Sequence, residues 1–326
     1  MSDTARNRMN ELGANGTPFL FILDFDLKTP EIIPLEEVNP DEILYSVNDK
    51  RNYLPVKGII KSPEIAIYPV EKNRYSKAFD LVQKHISHGD SFLLNLTMPS
   101  RVKTNITLKE VFYRTQAKYK LWFRDQFVVY SPEIFVQTRN NHIHSFPMKG
   151  TINANIPNAE KILIDNEKEL AEHYTIVDLI RNDLSIVSKN VRVERFRYID
   201  RVTTNRGALL QISSEIVGEL ESGFQSGIGD ILFSMLPAGS ISGAPKKKTV
   251  EVIKEAEKYE RGFYTGIFGI FDGENIDSGV MIRFMENTPD GKVYKSGGGI
   301  TSRSNMEEEY HELVDKIYIP VINSNK

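Results

Sequence analysis

The chain has 326 residues, enough to bury roughly three quarters of its unfolded surface in one large domain or two small ones. Its 41 basic and 44 acidic side chains leave a net charge of −3, which excludes the broad positive footprint of a nucleic-acid-binding protein. No run approaches roughly 18 apolar residues, MSDTARNRMNELGANGTPF lacks a signal-peptide core, and cysteine is absent, so membrane spans, disulfides, thiolate nucleophiles and cysteine-ligated zinc are excluded and a cytoplasmic protein is expected.

Residues 1–15 are polar and are expected to be loose, leaving 16–326 as a single domain undivided by repeat, low-complexity tract or linker. A strand is predicted at Pro18–Phe25. Residues 74–88 place Tyr75, Ala78, Phe79, Val82 and Ile86 at helical spacing, with Gly89-Asp90 as the stop. Strand patterns follow in SFLLNLTMPSRV, LWFRDQFVVYS and EIFVQTR. Residues 159–187 turn helical, with Asp165 as the expected N-cap and Leu170, Ile176, Val177 and Ile180 on one apolar face. VRVERFRYI and LLQISSEIVGEL alternate with period two. The glycine-rich AGSISGAP leads into a helix carrying Val250, Ile253 and Ala256. TGIFGIFDGENIDSGVMIRFM reads as two strands turned at Asp272-Gly273, YKSGGGITS as a third, and a last helix covers about Met306–Tyr318. Consecutive runs of strands outnumbering the helices indicate an α+β class with antiparallel sheets.

Four glutamates stand out. Glu169 with Glu172, in EKELAEH, and Glu309 with Glu312, in EEEYHE, are i,i+3 pairs, so on helices each pair shares a face. Two such faces brought together repel unless a hard cation lies between them, and carboxylate oxygens suit Mg2+; kept apart, they are ordinary solvated surface. Lys149, ahead of a glycine, is either a surface lysine or a cavity group. AGSISGAP and SGGG are either turns needing positive φ or backbone cradles for an anion. Lys246–Lys248 are a solvated helix start or a phosphate patch, and Arg283 in VMIRFM faces solvent or receives a carboxylate in its planar fork. Together these residues point to a magnesium-dependent enzyme acting on a small polycarboxylate.

The combination SPEIFV…PMKGT, AEH…VDLIRND, GSISGAPK, RGFYTG and GGGIT followed by Glu309 and Glu312 resembles the chorismate-utilising enzymes over about residues 70–320, with the motifs in the same order. That family comprises anthranilate synthase component I, aminodeoxychorismate synthase component I, and isochorismate and salicylate synthases. The resemblance implies a fold like that of anthranilate synthase component I: two antiparallel sheets in a sandwich flanked by helices, with the site in a cleft between the sheets' ends. It implies Glu172 and Glu312 as direct Mg2+ ligands, with Glu169 and Glu309 acting through water. Arg283 and Tyr264, with the Gly299 backbone, would hold the enolpyruvyl carboxylate of chorismate, and Gly150, Thr151, Ser240 and Gly297 would line the same pocket.

Lys149 selects the branch. Anthranilate synthases carry alanine at this place and aminodeoxychorismate synthases lysine, so the resemblance implies the latter activity. Lys149 would attack C2 of chorismate while Glu133 protonates the departing C4 hydroxyl. Ammonia would then enter at C4 and expel the lysine, giving 4-amino-4-deoxychorismate, from which a lyase releases 4-aminobenzoate for folate synthesis. An ordinary lysine is only about 0.04 per cent neutral at pH 7, so Lys149 is expected to be tuned downward and Glu133 to be desolvated. Gln211 stands where anthranilate synthases carry histidine, and an amide cannot serve as acid or base there. With no cysteine for glutamine hydrolysis, ammonia must come from a separate glutamine amidotransferase subunit or from free ammonium. Anthranilate synthase component I is the alternative reading. Isochorismate and salicylate synthases are disfavoured by Lys149, and a catalytically silent homologue by the retention of every charged site residue.

Overall fold

A computed structural model describes residues 2–55, 64–204 and 207–319. Its helices are α1 (Ser2–Ala14), α2 (Lys72–His88), α3 (Leu108–Arg114), α4 (Ala159–Ile164), α5 (Glu167–Ser185), α6 (Ile228–Met235), α7 (Lys246–Glu257) and α8 (Met306–Asp315). The strands form two sheets, antiparallel at every pairing. In the first, Gly207–Glu219 pairs with Lys189–Thr204 on one edge and with both Met148–Asn153 and His142–Ser145 on the other. The sheet continues through Ile134–Arg139, Ile276–Val280, Ile267–Phe271, Phe19–Leu23 and Glu31–Pro34. The second runs Gly243–Ala244, Leu93–Thr104, Gly291–Ile300, Phe284–Thr288, Phe127–Ser131, Tyr119–Phe123, Ile43–Val47 and Lys50–Arg51, with Ile65–Tyr68 added on Leu93–Thr104.

The sheets pack face to face, and alternation along each strand explains the apolar runs. In FLFIL, Leu20 and Ile22 join Tyr45, Leu121, Phe127, Phe268 and Phe284 between the sheets. Phe19, Phe21 and Leu23 point the other way, into a second core closed by α1, α5 and α6. On the outer face of the second sheet, Leu94, Leu96, Met98 and Ile300 pack under α2, α7 and α8. The helix at 72–88 buries the five residues its spacing singled out, and Gly89 closes it in the left-handed conformation at φ 87°.

Three expectations need correction. The N-terminal residues are not loose: Ala5, Met9 and Leu12 recur at helical spacing and are buried, so α1 docks on α6. The Gly229 N–H donates to Asn10 Oδ1 at 2.7 Å, fixing that contact. The apolar stripe is narrow, and the polar residues around it hide the signal. Next, the helical stretch 159–187 is broken into α4 and α5, and the N-cap is Asn166, whose side chain accepts from the Glu169 N–H at 3.0 Å; Asp165 closes α4 instead. Finally, VMIRFM is not one strand. Ile276–Val280 ends in the first sheet, the chain crosses at Met281–Arg283, and Phe284–Thr288 begins in the second.

Candidate active site

Two crossovers between the sheets position the first functional pair. Pro132-Glu133 connects Phe127–Ser131 to Ile134–Arg139, and Met281–Arg283 makes the opposite passage, with Arg283 in a left-handed conformation at φ 53°. They hold one another through main-chain bonds: Val280 N–H donates to the Glu133 carbonyl (3.1 Å), and Tyr130 N–H to the Arg283 carbonyl (3.2 Å). Both side chains line a cavity of about 520 Å³ reaching residues from the two sheets. Lys149, Gly150, Thr151, Glu169, Glu172, Ser240, Tyr264, Gly297, Gly299, Glu309 and Glu312 line it as well. Every site residue named from sequence therefore converges on one place, within a cleft of the sandwich.

Each wall has a local cause. Gly150, at φ 78°, sits where the pairing of Met148–Asn153 with Gly207–Glu219 slips between Lys149 and Thr151, so this bulge turns consecutive side chains toward the cavity. α5 presents Glu169 and Glu172 on one face. It is anchored by the buried ring of His173, whose Nε2 lies 2.7 Å from Ser214 Oγ and whose pKa burial pulls down to about 4, leaving it neutral at pH 7. The far end of α5 fixes the Gly239–Ile241 turn: Asp183 accepts from the Gly239 N–H at 3.0 Å and pairs with Lys246 at 2.8 Å. Lys246 is thus a structural clamp and not part of a phosphate patch. The adjoining Ser240 donates to Glu133 Oε1 at 2.6 Å.

Burial pushes the Glu133 carboxyl above its ordinary value, against the pull of Ser240, Arg283 and Lys316. Tyr264 is raised too, chiefly by burial. Arg283 donates from Nε to Tyr318 Oη at 3.3 Å and stacks over the same ring, which aims its fork along the cavity wall. Gln211 also lines the cavity, so the amide does stand inside the site.

Lys149 departs from expectation. Burial works to remove its proton, but Glu172, at 2.6 Å, with Glu312 and Glu169 behind it, more than offsets burial and holds the ammonium above its ordinary pKa. Lys316 makes the matching contact on the other helix, 2.6 Å from Glu312, while donating to the Gly297 carbonyl at 2.9 Å. Among the described residues no three acidic or histidine side chains form a ready cation cage. The four carboxylates nonetheless have the donor chemistry of a hard-cation site, and the backbone makes room for them. A Cβ at Gly298 would lie 3.2 Å from Glu309 Oε2, and one at Gly150 3.3 Å from Glu169 Oε2. The glutamates therefore fit Mg2+, with Glu172 and Glu312 each carrying a lysine ammonium as partner here.

Sequence reading missed Asn95, Lys295 and Lys316 among the residues lining the cavity. Asn95 and Lys295 sit on strands where a polar side chain faces the other sheet, a signal available only once the inner face is known.

The cleft between the two antiparallel sheets is thus lined by carboxylates, with a buried acid and an arginine on adjacent crossovers. The chain belongs to the chorismate binding enzyme family, whose profile matches residues 60–321. It is 49% identical over 312 residues to a Haemophilus influenzae protein named as an uncharacterized PabA-like protein, covering 96% of this chain and 95% of that one. It is 32% identical over 265 residues to aminodeoxychorismate synthase component 1 of Bacillus subtilis, covering 77% of this chain but 55% of the relative. In structure it is similar to the menaquinone-specific isochorismate synthase of Escherichia coli, with a TM-score of 0.74 at 15% identity over 96% of this chain and 80% of that one. The sandwich with flanking helices is thus the fold shared with anthranilate and isochorismate synthases. No helix among the described residues is long and apolar enough to cross a membrane.

Proposed function

We propose that this chorismate-utilising enzyme is an aminodeoxychorismate synthase component I, and one observation carries the reading. The lysine that resemblance to that branch marks as nucleophile opens from a β-bulge into the same cavity as Glu133 and Arg283. The Lys149 amine forms a bond to C2 of chorismate as the C4–O bond breaks, and Glu133 delivers the proton with which the hydroxyl leaves as water. Ammonia then bonds to C4 and the C2–N bond to Lys149 breaks, so the net change is chorismate plus ammonia to 4-amino-4-deoxychorismate plus water. Arg283 and Tyr264 fix the enolpyruvyl carboxylate through this exchange. Bound at the glutamates, Mg2+ would neutralise the substrate's ring carboxylate along with the carboxylates that keep Lys149 charged. Gln211 supports retention of the enolpyruvyl group, since an amide offers no acid or base for pyruvate elimination.

A chain without cysteine takes its ammonia from a separate glutamine amidotransferase or from free ammonium. The test is product analysis with chorismate, Mg2+ and ammonium, followed by chromatography with mass detection. An amino product that retains the enolpyruvyl group, and that an added lyase converts to 4-aminobenzoate, is the expected result. Anthranilate with released pyruvate would overturn the assignment in favour of anthranilate synthase component I.

A further inference from the structure

Asn95 lies on Leu93–Thr104, directly opposite Gly299 on the neighbouring strand, and its side chain lines the catalytic cavity. Its backbone is fixed on both sides: the N–H donates to the Ser242 carbonyl at 3.0 Å, and its carbonyl accepts from Arg261 at 2.6 Å. The side-chain carbonyl is different. Oδ1 is buried and receives no hydrogen bond from any described residue. A buried amide oxygen left this way costs about 1–3 kcal/mol, so a folded protein that keeps one facing a substrate cavity keeps an acceptor for a ligand.

Which ligand group it takes follows from its neighbours. The Gly239–Gly243 segment that receives the Asn95 N–H also carries Ser240, the hydroxyl donating to Glu133. Asn95 and Glu133 are thus docked on one five-residue segment. The substrate carboxylates would have other partners in Arg283 and in the cation that the four glutamates would hold, and they offer no hydrogen to an oxygen acceptor. The ring hydroxyl of the substrate does. Resting on the function proposed above, we infer that Asn95 is a positioning residue whose side-chain carbonyl accepts the hydrogen of the hydroxyl that Glu133 protonates. Held so, the hydroxyl presents a lone pair to Glu133, and departure is aligned before the proton moves.

The test pairs Asn95→Leu with a chorismate analogue lacking the ring hydroxyl, and measures binding calorimetrically with Mg2+ and without ammonium. The full-length wild-type chain should bind chorismate about tenfold tighter than Asn95→Leu, while both bind the analogue alike. Asn95→Asp, which keeps an acceptor, should restore part of the difference. Thermal melting of free Asn95→Leu should not fall below wild type, because the change removes a buried acceptor that has no donor; a merely structural asparagine would lose stability. Equal losses for chorismate and the analogue overturn the hydroxyl assignment. Chorismate binding equal in wild type and Asn95→Leu, with the variant's defect confined to the KM for ammonium in a turnover assay, overturns it in favour of an ammonia site. Wild-type protein that fails to bind chorismate at all overturns the function itself and this inference with it.

Discussion

Lys149 and Lys120 are two enclosed lysines driven in opposite directions. Lys149 faces the cavity among carboxylates and is held above the ordinary lysine pKa. Lys120, on Tyr119–Phe123 beneath α3, is 5% exposed and has no carboxylate partner among the described residues; Tyr53 Oη lies 3.3 Å away, and its ammonium sits over the rings of Tyr53 and Phe112. Burial, with Arg51 adding to it, pushes Lys120 down to about 8. Low accessibility alone therefore does not make an amine nucleophilic. The site keeps its lysine charged through carboxylates, so in the proposed reaction activation would come from what those carboxylates bind, whereas the aromatic pocket lowers the pKa of its lysine by burial and by the Arg51 charge.

The largest expected break in this contrast is Lys149→Met. Turnover should fall at least about a thousandfold, while the melting temperature stays within a few degrees because the partner Glu172 retains access to water. Unchanged turnover would remove Lys149 from the chemistry. Between the two lysines stands a paired case: Arg261 and Glu257, 2% and 1% exposed, meet at 2.6 Å, and Glu257 also accepts from the Thr97 N–H and hydroxyl. Arg261→Met strands that carboxylate and should destabilise by about 3 kcal/mol in chemical denaturation. A loss under about 1 kcal/mol would mean that Thr97 alone suffices for Glu257.

Much of this was legible in the sequence. Periodicity located the helix at 72–88 and the strands, and every named site residue reached one cavity. What periodicity could not show was where a strand leaves one sheet for the other. GVMIRFM is apolar but for Arg283, with Val280 and Met281 buried on one side of the passage and Phe284 and Met285 on the other, so nothing local marks the crossover that turns Arg283 into the site. Asn95 was hidden for a related reason: its inward direction is set by which face of LLNLTM meets α2 and α7. The direction of the Lys149 shift was also out of reach, because it depends on glutamates from α5 and α8 that adjoin only after folding.

Lys120 sharpens the contrast from the other side. Its pKa is depressed in the folded protein, so between about 8 and the unfolded value of 10.5 the unfolded chain binds more protons, and stability rises with pH across that window. Lys120→Met should therefore stabilise the protein most below pH 8, by about 2 kcal/mol once the lost cation–π contacts are deducted, and the gain should fade toward pH 10.5. Melting curves at pH 7 and pH 10 decide this; a gain equal at both would mean that packing, not the proton, sets the difference.

The smallest effect concerns the acid rather than the amine. Ser240 donates to Glu133 and so favours its ionised form, partly opposing the burial that raises its pKa. Ser240→Ala removes that donor, and the Glu133 pKa should climb further. A step that needs Glu133 protonated fails as pH rises through this pKa, so the alkaline limb of the kcat/KM profile should move to higher pH in the variant. The acid limb, set by groups that do not touch Ser240, should stay in place. A shift of both limbs together would mean that Ser240 acts through substrate binding, and a shift of the alkaline limb downward would remove Glu133 as the proton donor, because loss of a donor to a carboxylate cannot make it a stronger acid.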